Sequence, residues 1–165
     1  MTATQKISRS SHKLLRQGTW SGDAEHCDLD YEGRFLRRKQ LFTHEGVAFL
    51  VNLEQTISVN EGDAFLISDG GLVEIRAAIE PLYQITGDRL AALAWHIGNR
   101  HTPCAIEDDR LLIRRDAVLA SMLTRLGAEL TEIDAPFTPE GGAYGMGRTH
   151  SHTHGPSHSE PDHAG

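Results

Sequence analysis

Asp88-Arg89-Leu90-Ala91-Ala92-Leu93-Ala94-Trp95-His96-Ile97-Gly98 carries the pattern that decides the fold. Leu90, Leu93, Ala94 and Ile97 fall at the i, i+3, i+4 and i+7 positions of one helical face. Gly98 then supplies a residue able to take the left-handed conformation that ends a helix. Upstream, Leu82 to Thr86 reads as a short strand. Downstream, Cys104 to Glu107 and Leu111 to Arg114 read as two more, joined through Asp108-Asp109-Arg110. Asp116 is the N-cap of a second helix, with Val118, Leu119, Met122, Leu123 and Leu126 as its buried face. Gly127 ends that helix, and Glu129 to Ile133 forms a last strand. The order β-α-β-β-α-β predicts a ferredoxin-like split βαβ unit, an antiparallel sheet with both helices on one face.

The half that precedes it has a different texture. From Tyr31 onward, short apolar runs alternate with turn residues. Phe35, Gln40 to Thr43, Gly46 to Leu53, Gln55 to Val59, Ala64 to Ser68 and Leu72 to Ala77 read as strands. Thr43-His44-Glu45-Gly46, Asn60-Glu61-Gly62-Asp63 and Ser68-Asp69-Gly70-Gly71 read as the turns between them. Met1 to Asp28 is polar and gives no clear pattern. The whole is an α+β chain: a small all-β domain, the ferredoxin-like domain, and a tail that follows a Gly- and Pro-rich exit at Pro136 to Gly147.

The tail is the most biased segment. Five of the ten histidines of this 165-residue chain fall in its last eighteen residues: His150, His152, His154, His158 and His163. Imidazole is a good ligand for nickel, copper and zinc. The intervening Ser, Thr, Gly, Pro and acidic residues offer nothing to bury, so the segment is expected to stay disordered and collect metal. An affinity tag would run its histidines contiguously. A merely solubilising tail would not concentrate imidazole.

Bulk composition narrows the classes further. A formal charge of −7 opposes general binding to nucleic acid, whose phosphates it would repel. Cys27 and Cys104 are too few for a disulfide framework. No apolar run approaches membrane-spanning length and no secretory leader is read, so the expected compartment is the cytoplasm. No G-x-S-x-G elbow, P-loop or H-E-x-x-H appears, which argues against an enzyme.

A second histidine cluster lies at Trp95-His96-Ile97-Gly98-Asn99-Arg100-His101-Thr102-Pro103-Cys104. On a continuous helix two residues five apart point about 140° from one another, so His96 and His101 would not share a face. His101 falls beyond the helix stop, at the mouth of a loop leading into a strand. Trp95 lies off the apolar face and marks a potential interface. One histidine cannot hold a transition metal, but a symmetric dimer doubles every ligand near its axis. Cys104 reads as a packed apolar residue. Cys27 beside His26 is a weaker metal-binding pair.

His96-Ile-Gly-Asn-Arg-His101-Thr-Pro resembles the H-x-G-N-R-H-x-P signature of UreE, the family of urease accessory nickel chaperones. Ile75-Arg-Ala-Ala-Ile-Glu80, Pro139-Glu-Gly-Gly-Ala-Tyr-Gly145 and the histidine-rich terminus agree with it. The resemblance implies a peptide- or partner-binding β domain over residues 1–78, a metal-binding and dimerisation domain over 79–147, and a metal-binding tail over 148–165. It implies a homodimer in which His101 of both protomers, with His96 nearby, meets one nickel ion, zinc and copper being other ions these ligands accept. The implied partners are the urease apoenzyme and its accessory GTPase complex. Some family members carry further histidines at the start of the second helix; Arg115 and Ala117 stand there in this chain, so those auxiliary sites should be missing. The expected function is nickel collection and delivery for assembly of the urease active site. The competing reading is a histidine-rich metal buffer or storage protein without a recipient enzyme.

Overall fold

The computed structural model describes residues 7–141, which form ten strands, one 3-10 turn and two helices arranged around two sheets. The first sheet comprises β1 (Ser10–Leu15), β2 (Glu25–Leu29), β3 (Phe35–Phe42), β4 (Ala48–Ser58), β5 (Ala64–Ile67) and β6 (Leu72–Ala77), in the order β2-β6-β5-β1-β4-β3. Period-2 alternation drives it. Phe49, Val51 and Leu53 of β4, and Val73 and Ile75 of β6, turn inward beside Phe65, Ile67, Cys27, Leu36 and Leu41. The outer strands of the sheet also approach each other, because the His44 N–H after β3 donates to the His26 carbonyl of β2 at 2.8 Å.

Two departures from the sequence pattern have physical causes. The polar opening stretch contains β1 and β2. β1 runs parallel to β4 and antiparallel to β5, so ladder bonds on both edges hold it where its own apolar alternation does not. The two strands expected over Gly46 to Leu53 and Gln55 to Val59 are one continuous strand, β4. The polar break near Glu54 is an irregularity instead of a turn: the register passes from Leu36↔Ile57 to Arg38↔Asn52, two steps along β3 against five along β4. The Ser68–Gly71 hairpin forms as expected, with Gly70 at φ +90° and Asp69 accepting from the Gly71 N–H at 2.8 Å.

The second sheet holds β7 (Ile79–Thr86), β8 (Ala105–Ile106), β9 (Leu111–Arg114) and β10 (Glu129–Pro136), with α1 (Leu90–Gly98) and α2 (Ala117–Arg125). Its order is β10-β7-β9-β8 and every neighbouring pair is antiparallel. β7 begins at Ile79, ahead of the expected Leu82, because β10 pairs with it along its whole length, from Glu129↔Thr86 to Pro136↔Ile79. Leu93 and Ile97 of α1 and Leu119 and Leu123 of α2 pack on Ile85, Leu111 and Ile113. On the opposite side of the sheet, Leu82 and Leu112 pack with Phe137 and with Tyr31 from the first half of the chain. The sheet is therefore covered on both faces.

Asp116 caps α2 as expected, its carboxylate accepting from the Leu119 N–H at 2.9 Å. The expected buried face of α2 needs correction. Leu119 and Leu123 are buried, but Val118 is 78% and Leu126 45% exposed. The sheet covers one narrow stripe of this nine-residue helix, and Val118 sits about 100° round the axis from Leu119. Neither helix is long and apolar enough to cross a membrane. The tail histidines His150, His152, His154, His158 and His163 lie outside the described residues.

Candidate metal centre

The end of α1 builds the first candidate site. The helix was expected to stop with Gly98 in the left-handed conformation; instead Gly98 is its last helical residue and the reversal comes three residues later. Asn99 stays right-handed (φ −65°, ψ −16°), and the Arg100 and His101 N–H groups donate to Ile97 and Gly98 at 3.1 and 3.0 Å. His101 then takes φ +56°, the one non-glycine residue with positive φ among those described. A side chain bearing Cβ costs about 1–2 kcal/mol there. Backbone strain of this kind concentrates at functional positions, where surrounding contacts hold it.

His101 is exposed. His96, in the last turn of α1, is half-buried and meets the Trp95 indole edge-on, with ring centroids 5.0 Å apart. Trp95 itself is 64% exposed. Beside this helix end, the Arg100 guanidinium donates to Met122 Sδ at 2.8 Å. Both residues line an open groove of about 660 Å³ with Val118, Ser121 and Leu126. Arg115 is fixed by the carbonyls of Leu82 and Ile133 at 3.2 and 3.3 Å, so it ties β7 to β10. Cys104 is buried, and desolvation, with Glu140 adding to it, pushes its thiol up to about 11. A buried thiol held neutral behaves as a small packed apolar group.

A second group was only half legible. His26 and Cys27 are adjacent in sequence, but strand alternation separates them. Cys27 enters the core, where burial drives its thiol up to about 11. His26 and Asp28 share the opposite face of β2. The turn after β3 brings His44 to them, and its imidazole stacks on that of His26 with centroids 4.4 Å apart. Candidate ligand atoms of His26, Asp28 and His44 all lie within 4.8 Å of one another. Neither His96 nor His101 belongs to this group.

The class defined by these features is an α+β protein of two sheets carrying an exposed histidine on a strained turn past a helix end. Residues 4–78 match the family described as UreE urease accessory protein, N-terminal domain, and residues 80–164 match its C-terminal domain. The chain is 55% identical over 146 residues to the urease accessory protein UreE of Rhodobacter capsulatus, covering 88% of this chain and 93% of that one. It is 57% identical over 141 residues to the protein of the same name from Ruegeria pomeroyi, covering 86% and 95%. The chain belongs to the UreE urease accessory protein family.

Proposed function

We propose that this protein is a homodimeric nickel metallochaperone that collects nickel in the cytoplasm and delivers it for assembly of the urease active site. The observation that carries the reading is family membership over both halves of the chain, combined with the position of His101. A single exposed imidazole on a backbone-fixed turn presents one donor nitrogen and needs a second copy to hold an ion. The exposed Trp95, Val118 and Leu126 on the helices of the same half support such a partner, because aromatic and aliphatic groups are favoured at interface centres.

In this reading, residues 79–147 are the ferredoxin-like metal-binding and dimerisation domain. The sheet order β10-β7-β9-β8 supports that assignment. Residues 1–78 engage the urease apoenzyme or the accessory GTPase complex, and residues 148–165 gather ions. His101 of each protomer binds one nickel ion, with His96 behind it. His150, His152, His154, His158 and His163 make weaker, rearranging contacts. Few protein ligands leave the interfacial ion open to an incoming donor, which favours transfer over retention. Zinc and copper fit the same nitrogens, so selectivity comes from partner recognition and metal supply.

The test is urease activation at limiting nickel, in cells carrying the wild-type protein, His101→Ala or neither. Wild type is expected to raise urease activity and His101→Ala to lose most of that gain. Nickel accumulation on the wild-type protein with no effect on urease would favour a buffer or storage role instead.

A further inference from the structure

We propose that His26, Asp28 and His44 form a second divalent transition-metal site, on the first sheet and independent of His101. Three features of the fold assemble it. His26 and Asp28 are two apart on β2, so both side chains leave the same face of the strand while Cys27 between them is buried. His44 comes from the Thr43–Gly46 turn and is held against β2 by its own backbone, the N–H donating to the His26 carbonyl at 2.8 Å. Thr43 anchors the turn from below: it is buried, and its hydroxyl accepts from the Val47 N–H at 3.1 Å. The backbones of the two segments are thus positioned without any ion, and only side-chain rotation remains.

The donor set specifies the chemistry. Two imidazoles and one carboxylate match nickel, zinc or copper; calcium and magnesium prefer oxygen alone. Metal–nitrogen and metal–oxygen distances of about 2.0–2.2 Å place neighbouring ligand atoms roughly 3 Å apart. The candidate atoms already lie within 4.8 Å of one another. Asp28 and His44 are exposed and His26 half-buried, so they can close that difference by rotating about their side-chain bonds. Glu74 stands beside His26 in the β2–β6 register and adds negative charge to the neighbourhood, part of it offset by Arg76 at 3.7 Å. Three protein ligands leave positions for water. The site therefore exchanges its ion with solvent, unlike a closed structural centre.

The test uses the full-length chain and Ni2+ alone, followed by paramagnetic broadening of backbone amide signals. Signals of His26–Asp28 and of Thr43–Glu45 are expected to broaden in the wild type and equally in His101→Ala. They should stay sharp in a His26→Ala/His44→Ala variant whose remaining spectrum is unchanged. Because the tie between the two segments is backbone to backbone, these substitutions leave it in place. A second measurement needs no variant. Zn2+ should slow diethyl pyrocarbonate modification of His26 and His44 several-fold while leaving exposed His12, on the same sheet, unaffected. Broadening that persists in the double variant, no broadening in the wild type, or equal reactivity of His12, His26 and His44 with and without Zn2+ would each overturn the proposal.

Discussion

The buried guanidinium of Arg34 donates to the backbone carbonyl of Phe137, 103 residues further along the chain. Its other arm donates to the Leu29 carbonyl at 2.8 Å. Around it, the Tyr31 and Phe137 rings meet edge to face at 5.5 Å, and the Tyr31 N–H donates to the Glu80 carboxylate at 2.9 Å. This polar clasp, set in an apolar contact, joins the two sheets.

Arg34→Met should therefore cost about 2–4 kcal/mol, since it fills the space but leaves two carbonyls without their charged donor. Arg34→Lys should fall between, because a single ammonium cannot reproduce the planar fork. Chemical denaturation gives the numbers. A midpoint unchanged in Arg34→Met would show that water or relaxation satisfies those carbonyls.

Asp63 is a buried carboxylate whose two oxygens both have partners. At 2% exposure it accepts from Arg16 Nη1, the Gln17 N–H and the Asn60 N–H, all at 2.9 Å. Asp63→Ala should lower stability by about 2–4 kcal/mol, because two backbone donors and a guanidinium lose one acceptor together. Asp63→Asn retains one acceptor oxygen and should lose less. Equal losses in the two variants, measured by urea unfolding, would mean that the charge matters and the hydrogen-bond geometry does not.

Sequence periodicity revealed what apolar faces control. Leu93 and Ile97, the Asp116 cap and the strands over Leu72–Ala77 and Leu111–Arg114 all fall where their patterns place them. β1 escaped because its position depends on partners on both edges, and no local pattern reports those. Val118 and Leu126 were misassigned because residue type shows that a side chain is apolar without showing whether anything covers it. The same limit governs the sites. His101 stood out through its neighbours in sequence, yet its left-handed backbone was not legible, since Gly98 offered a conformationally easier residue for the reversal. His44 could not be joined to His26 from sequence, because the contact depends on how β3 and β2 approach one another.

The two cysteines predict how stability changes at high pH. Burial raises each folded-state thiol from 9.0 to about 11, for Cys27 with a smaller contribution from Asp28 and for Cys104 from Glu140. The folded state thus holds its protons more tightly than the unfolded chain. This contribution is full below about pH 9 and disappears as pH rises through about 11. Replacing either cysteine with Ala should flatten the fall in stability across that window in reducing buffer. At neutral pH both thiols should react with Ellman's reagent far more slowly in the folded protein than in denaturant. Rapid labelling of either one under native conditions would contradict the burial that sets these values.

His101 allows backbone and ligand roles to be measured separately. At φ +56° it carries strain of about 1–2 kcal/mol that glycine would not. Glycine in turn gives up about 0.5–1 kcal/mol in chain entropy on folding. His101→Gly should therefore stabilise the metal-free protein by roughly 0.5–1 kcal/mol. His101→Ala keeps Cβ and should leave stability nearly unchanged. Neither variant supplies a nitrogen, so both should lose the tightest nickel site in calorimetric titration while keeping weaker binding elsewhere. Scanning calorimetry in chelator gives the first comparison and nickel titration the second. A glycine variant less stable than wild type would show that the imidazole makes a stabilising contact worth more than the strain. Tight binding of one nickel per dimer retained in both variants would remove His101 from the metal site, whatever its backbone does.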